Sequence, residues 1–502
     1  MGTVLTDRQI VAAASEHRLV NIVSAPGSGK TTIAAERVGY LRHARVDRQR
    51  GVLALSFTRS AVGELRQRII GRWGSRAGAL PSLITTFDDL HVRALHHLLR
   101  KRMLKWPGGL VELEVLDTYQ GVKGYRWLLA GSYRRHAALD ASGLVTSKST
   151  RIGKPQSGIG SAADHRAVLE AGRVSHEDVR HILLEALALD GVKDELKSWL
   201  AASFSAMVID EVYDADRLDL SVACLAAEEG LDVTLVGDPW QALYEWRGAT
   251  PEKVALVLDA FPFAAYEQPE SFRFTGDQMP GLASALRDGQ GVQVPTTTSG
   301  LVDVAIGRHW ARLWTVGDNV LPLAFRTVQN ATDAMLNLLL DEVTKANLGR
   351  PSFGKQAAYT VLRVDPEMAE QTKQEFLLPV LSTLREGADA HDVLELLRTV
   401  ALEVGAGRRP SRLGEANERE RAADIDRLRT RLGRDALIPG LTVHQAKGCE
   451  WDRVGVALTA AEEGILSQGL RPLEQEHCVL YVALTRARRY CGALRPSDQL
   501  GV

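Results

Sequence analysis

Four cysteines among 502 residues, Cys224, Cys449, Cys478 and Cys491, stand apart without Cys-x-x-Cys spacing. That scarcity argues against a secreted disulfide framework and against a cysteine-built zinc site. No run approaches the ~18 uninterrupted apolar residues of a membrane-spanning helix, and no charged-then-apolar leader opens the chain, so a cytoplasmic protein with no membrane partner is expected. Met1–Thr6 fits an N-myristoylation pattern only formally, since the pattern is permissive. An excess of either charge is also missing: 61 basic side chains face 62 acidic ones, for a net charge of −1. A nucleic-acid site would therefore depend on local basic clusters and stacking, not on a global field. Sequence repeats of fixed period and nuclease motifs are absent too.

What is present begins with length. A chain of 502 residues can carry two or more cores, because single cores stop growing near ~250–300 residues. The apolar run Leu19–Val23 leads into Ser24-Ala25-Pro26-Gly27-Ser28-Gly29-Lys30-Thr31-Thr32, and the amphipathic positions Ile33, Ala34, Val38 and Leu41 follow. Strand, glycine-bearing loop and helix, in that order, make a phosphate loop. Gly27 and Gly29 leave backbone N–H groups free to converge on an anion, with Ala25, Ser28 and Thr32 completing the loop. Lys30 would sit on the phosphates, Thr31 would offer its hydroxyl to Mg²⁺, and the helix adds its positive end. Ser24 stands where the pattern usually has its first glycine.

Four mostly apolar runs, Leu19–Val23, Val52–Phe57, Ala206–Ile209 and Val233–Val236, suit strands buried on both faces of a parallel sheet. A second set, Val302–Ile306, Val320–Phe325, Leu441–Val443 and Val454–Leu458, suggests a second core. The fold class expected is α/β, with two parallel-sheet cores, each carrying a helical insertion. Boundaries fall at 1–90, 91–200 (helical insertion) and 201–270 for the first core, and at 271–341, 342–435 (short helical insertion) and 436–502 for the second. Within the insertions, Gly143–Ala163 reads as a mobile loop, and Gly405–Arg434 as a linker with a solvated helix face. His91, His96 and His97 lack metal-ligand spacing and are expected at the surface or facing phosphate.

At the end of the third run, Asp210 and Glu211 supply the carboxylates that a phosphate loop needs, one for Mg²⁺ and one for the attacking water. The fourth run ends in Gly237-Asp238-Pro239-Trp240-Gln241-Ala242-Leu243-Tyr244-Glu245-Trp246-Arg247-Gly248-Ala249. Here the chain resembles the UvrD/Rep-type superfamily 1 (SF1A) DNA helicases, whose third motif has this form. Other segments are similar to further motifs of that family: Leu5–Gln9 to the Gln motif, Val52–Ala61 to motif Ia, Thr85–Phe87 to Ib, Ser271–Arg273 to IV, Thr442–Glu450 to V and Tyr481–Ala487 to VI.

The resemblance implies two RecA-like cores with ATP and Mg²⁺ between them. It implies that Gln9 reads adenine, Phe272 stacks on it and Glu450 contacts the sugar. Lys30, Glu211 as general base, Gln241, and the arginine fingers Arg273 and Arg486, both assigned to the second core, would be catalytic; Thr31 and Asp210 would serve the metal. Phe57, Thr86, Tyr244, Trp246 and His444 match or neighbour positions that meet DNA. The implied partner is single-stranded DNA or a single-strand/duplex junction, with movement 3′-to-5′. Two other readings stay open. One is an ATPase subunit beside a nuclease partner, as in Gabija-type anti-phage systems; the other is a nucleotide-binding scaffold without turnover. Four places depart from the family pattern: Tyr213 for a Gln, Asp88 for a His, Pro269-Glu270-Ser271 for a single Asn, and His477-Cys478 where motif VI usually carries an Arg pair.

Overall fold

The computed structural model describes residues 4–44, 49–116, 129–156, 161–244, 248–407 and 409–495. The chain divides into two units, residues 1–273 with 472–475, and residues 274–471 with 476–502.

Among the described residues, ten strands belong to the first unit: β1 (Leu19–Ser24), β2 (Gly51–Ser56), β3 (Leu83–Thr86), β4 (Glu114–Leu116), β5 (Leu129–Leu139), β6 (Val145–Gln156), β7 (Arg173–Ser175), β8 (Phe204–Asp210), β9 (Asp232–Gly237) and β10 (Ala264–Gln268). Six of them form one parallel sheet in the order β10-β1-β9-β8-β2-β3. Strands β2 and β9 are buried at every residue, as the apolar runs require. On one face the helices Lys30–Ala44 and Arg59–Trp73 bury Ile33, Val38, Leu41, Leu65 and Ile69 against the sheet. Helix starts in this unit are set by side chains that accept backbone N–H bonds: Thr6 before Asp7–Ala13, Thr58 before Arg59–Trp73, Thr86 before Phe87–Arg100 and Asp216 before Arg217–Glu228.

Between β3 and β8 the insertion is not purely helical. The segment expected as a mobile loop, Gly143–Ala163, contributes β6, which pairs antiparallel with β5 from Leu139↔Val145 to Arg134↔Thr150. Val145, Thr146 and Thr150 are β-branched and fit a pleated surface. The turn is held by Asp140, whose Oδ1 accepts from the N–H groups of Ser142 (2.8 Å) and Leu144 (3.0 Å), with Gly143 at φ 74°. The three histidines expected at the surface are packed instead. His91 is buried 3.2 Å from Asp219, His96 accepts from the Leu113 N–H, and His97 bonds Glu195 while stacking on Trp199.

In the second unit β11 (Thr296–Thr297), β12 (Val304–Gly307), β13 (Val320–Pro322), β14 (Ile438–Thr442), β15 (Trp451–Val456) and β16 (Ala487–Leu494) form a parallel sheet in the order β11-β16-β15-β12-β14-β13. Five helices, Ala331–Leu348, Lys355–Leu362, Pro366–Arg385, Ala390–Glu403 and Glu415–Leu432, build a core around Leu338, Leu377, Leu394 and Ile425, which Trp314, Phe325 and Leu321 of β13 join. The charged stretch Gly405–Arg434 is more than linker and solvated face. Arg421 is buried on Asp333 at 3.0 Å, Asp424 on Arg326, and Arg431 donates to the carbonyls of Val320 and Trp314. Each buried charge has a partner, which is what its desolvation demands.

Candidate active site

Strands of the first sheet deliver their C-terminal ends to sequence-predicted positions, as open parallel sheets do. β1 runs into the phosphate loop, β8 into Asp210 and Glu211, and β9 into Asp238 and Gln241. β10 leads to Ser271–Arg273, β2 to Phe57, and β3 ends at Thr86.

In the loop, Gly27 and Gly29 adopt φ of 74° and 84°. A Cβ on Gly27 would lie 2.4 Å from the Arg273 Cβ, so only glycine admits this approach. The Phe272 N–H donates to the Gly27 carbonyl at 2.9 Å, which seats Ser271–Arg273 over the loop. Arg273 closes the longer segment of the first unit, whereas it was expected in the second core. Phe272 leaves 56% of its surface exposed beside the loop, open to a planar ligand. Ala25 is buried and donates to the Gln268 carbonyl at 2.9 Å.

Gln9 is buried, its Nε2 donating to the Ser28 carbonyl (2.8 Å) and its Oε1 accepting from the Thr6 N–H (3.0 Å). Its amide braces the loop as well as its own helix. Arg37, which sequence reasoning passed over, is wholly buried. It donates to the carbonyls of Ala13, Ser15 and His17 and to Thr234 Oγ1, tying the end of the Gln9 helix to the phosphate-loop helix. Nothing in the sequence marks it, because an arginine on a helix normally faces water. Arg68 likewise reaches the Thr32 hydroxyl at 2.7 Å.

Asp210 is buried, and the Thr31 hydroxyl and the Lys30 charge both lie near enough to favour its ionised form. Burial, then the neighbouring Glu211, pushes Asp210 above the usual carboxylate range. Its Oδ1 is buried without a hydrogen-bond partner among the described residues. A threonine hydroxyl and an unsatisfied, desolvated carboxylate oxygen fit a hard divalent cation such as Mg²⁺. Glu211 occupies the left-handed region at φ 63°, ψ 42°, a conformation that costs a non-glycine residue energy and that concentrates at functional sites.

Gln241 is buried and its Nε2 donates to Asp238 Oδ2 at 2.7 Å, while Asp238 Oδ1 accepts from the Trp240 N–H. Tyr213, standing where the family has Gln, packs over Gly237; a Cβ there would meet its ring at 2.8 Å. Asp214 Oδ1 accepts from the Leu243 N–H at 3.3 Å, so the segments after β8 and β9 are joined directly.

A cleft of about 1950 Å³ is lined by Phe57, Thr86 and Arg66 from the sheet side and by His136, His176, Arg180 and His181 from the insertion. Phe57 packs against Phe87 with ring centroids 5.2 Å apart while still lining the cleft, and Thr86 spends its hydroxyl on the Asp89 N–H. Asp88, the negative charge at a family DNA position, lies 3.5 Å from Arg180. Tyr244 is half-buried. Trp246 lies outside the described residues.

Arg486, Glu450 and His444 lie in the second unit. Arg486 is 1% exposed, its Nε donating to the Val482 carbonyl at 3.0 Å. Glu450 lies 3.8 Å from Arg488 with 42% of its side chain exposed. His444 is half-buried on the helix Val443–Ala446, which Thr442 caps.

Two family descriptions match in succession. Residues 7–247 match an AAA domain, and residues 425–491 match the UvrD-like helicase C-terminal domain. The chain belongs to the UvrD/Rep-type superfamily 1 helicase family. Within this family it is 24% identical to the ATP-dependent DNA helicase UvrD2 of Mycobacterium tuberculosis, across 96% of this chain and 77% of that protein. Identity to DNA helicase II of Salmonella typhimurium is 23%, across 66% of this chain. The ATP-dependent DNA helicase Rep of Escherichia coli is 24% identical over 48% of this chain and 37% of its own. The chain spans only 44% of the length of DNA helicase II.

Proposed function

We propose that the chain is an ATP-driven DNA motor that binds single-stranded DNA and moves along it 3′-to-5′. The observation that carries this reading is the buried Asp210 near Thr31, with its unsatisfied carboxylate oxygen, set beside the phosphate loop and a strained Glu211. The similar proteins named as ATP-dependent DNA helicases support it.

Thr31 and Asp210 would hold Mg²⁺, which when bound neutralises charge on the β- and γ-phosphates. Lys30 and the loop amides bind the phosphates, and Arg273, packed on Gly27, lies within the same loop region. Glu211 takes the proton of the attacking water, and Gln241, fixed by Asp238, orients that water or the γ-phosphate. Phe272 stacks on adenine. Arg486 and Glu450 are assigned to the same nucleotide by family resemblance. Single-stranded DNA stacks on Phe57, worth ~1–3 kcal/mol per base. The mixed charges of the cleft suit that sequence-tolerant mode better than one driven by a positive field.

ATP hydrolysis by the purified chain, with and without single-stranded DNA, tests the reading against a Glu211→Gln variant. DNA-stimulated turnover that the variant lacks, at unchanged nucleotide affinity, is the expected result. Turnover that is absent in both, or equal in both, would overturn it. Strand displacement from substrates tailed at one end then reads polarity, and a preference for 5′ tails would refute the direction.

A further inference from the structure

A second cavity of about 710 Å³ opens on the other side of Leu184 and Arg217, two residues that also line the cleft. Its floor is apolar, with Leu187, Leu220 and Leu225, and Leu256 keeps 64% of its surface exposed at the wall. The rim is cationic: Lys193, Lys197, Arg217 and Lys253 face a single lining acid, Glu228. Glu228 is taken by Lys197 at 2.7 Å, and Asp194, 3.9 Å from the same lysine, lies outside the lining. Lys193, Arg217 and Lys253 have no ion pair among the described residues.

Three uncommitted cations around an exposed leucine, on a chain whose overall charge is −1, are a local excess that the fold does not use. The motor reading does not need them either, since they lie outside the phosphate loop and only Arg217 touches the cleft. Apolar floor and basic rim together match one kind of ligand. We infer that this groove docks an acidic amphipathic helical segment of a partner protein, its leucine-like side chains on Leu187, Leu220 and Leu256 and its carboxylates on Lys193, Arg217 and Lys253. Helix-in-groove recognition divides the work in this way, with apolar anchors for affinity and charges for register and specificity. A nucleic acid is disfavoured because the floor offers aliphatic side chains and no aromatic ring for stacking. Because Leu184 and Arg217 serve both cavities, a bound segment would sit against the wall of the cleft.

Cys224 lines the groove and reports on it. Burial, with Glu228 beside it, holds its thiol above the ordinary range, so labelling by a disulfide reagent is slow but measurable. In a Cys449→Ser background, which removes the other partly exposed thiol, the probe is a helix-forming peptide with Leu at i, i+4 and i+7 flanked by Glu. The same peptide with Lys for Glu is the control. The acidic peptide should slow Cys224 labelling about tenfold at low salt and less at high salt, and the basic one should not. Lys193→Glu with Lys253→Glu should abolish protection while leaving nucleotide binding intact, which shows that the variant is folded. Equal protection by both peptides, or protection by neither, would overturn the inference. Labelling that slows with protein concentration alone would overturn it too, by making a second copy of the chain the occupant.

Discussion

Glu211 holds a backbone conformation that its neighbours must enforce, and a carboxylate there is worth that strain only if it acts chemically. Glu211→Gly should therefore stabilise the first unit by about 1 kcal/mol while abolishing ATP turnover. Urea denaturation and a steady-state assay on the same preparation check both halves, and a destabilised variant would show that the side chain has a structural role. His165 gives the second prediction. It is fully buried on the helix Ala162–Glu170, its Nδ1 2.6 Å from Ser147 Oγ on β6, and burial, then Arg135 and His136, lowers its pKa from 6.5 to about 4. The fold favours the neutral ring. Its contribution is therefore complete above pH 6.5 and lost as pH falls from there toward 4, which amounts to about 2 kcal/mol between pH 7 and 5. His165→Gln should flatten that part of the stability–pH curve, read by urea midpoints at the two pH values.

At the scale of elements, the helix Ala331–Leu348 carries Asp341 and Glu342 inward, and both are met by Lys373, which is 1% exposed. Tyr359 and Glu370 extend the cluster, and Lys373 is held above the usual lysine range by these acids although burial opposes it. Lys373→Met would leave the buried Glu342 unpaired, while Asp341 keeps Lys345 at 3.1 Å, and cost about 3–5 kcal/mol. Adding Glu342→Gln should recover part of the loss, and a double variant no better than the single one would contradict the pairing. Such a cluster is not legible in a sequence, where its members look like an ordinary charged face. The strands of the first core were legible for the opposite reason. β1, β2, β8 and β9 are mostly apolar and buried at almost every residue because both faces are covered. The edge strand β10 alternates in burial, and β16 opens on Ala-Arg-Arg-Tyr, so neither has that signature. The hairpin β5–β6 was missed because glycine, serine and lysine suggested a loop, while its pairing is fixed by partners along both strands. At the candidate site the loop, the carboxylates and Gln241 could be read from local motifs. Arg37 and Asp214 could not, because their roles depend on residues distant in sequence.

On the scale of the whole molecule, two units with separate sheets and cores should not unfold as one. Calorimetry is expected to give a van't Hoff enthalpy below the calorimetric one, resolved as two transitions. A non-hydrolysable ATP analogue should raise the transition of the first unit, which contains the phosphate loop. A single two-state transition would show the units to be energetically inseparable. The strand order β10-β1-β9-β8-β2-β3 has a consequence during synthesis. β1 pairs only with β9 and β10, and β2 has β3 alone until β8 arrives. A ribosome adding ~5–20 residues per second would leave these apolar edges waiting on the order of ten seconds while the insertion is made. The nascent chain is thus a natural client for holding chaperones, and its production should suffer first when they are scarce.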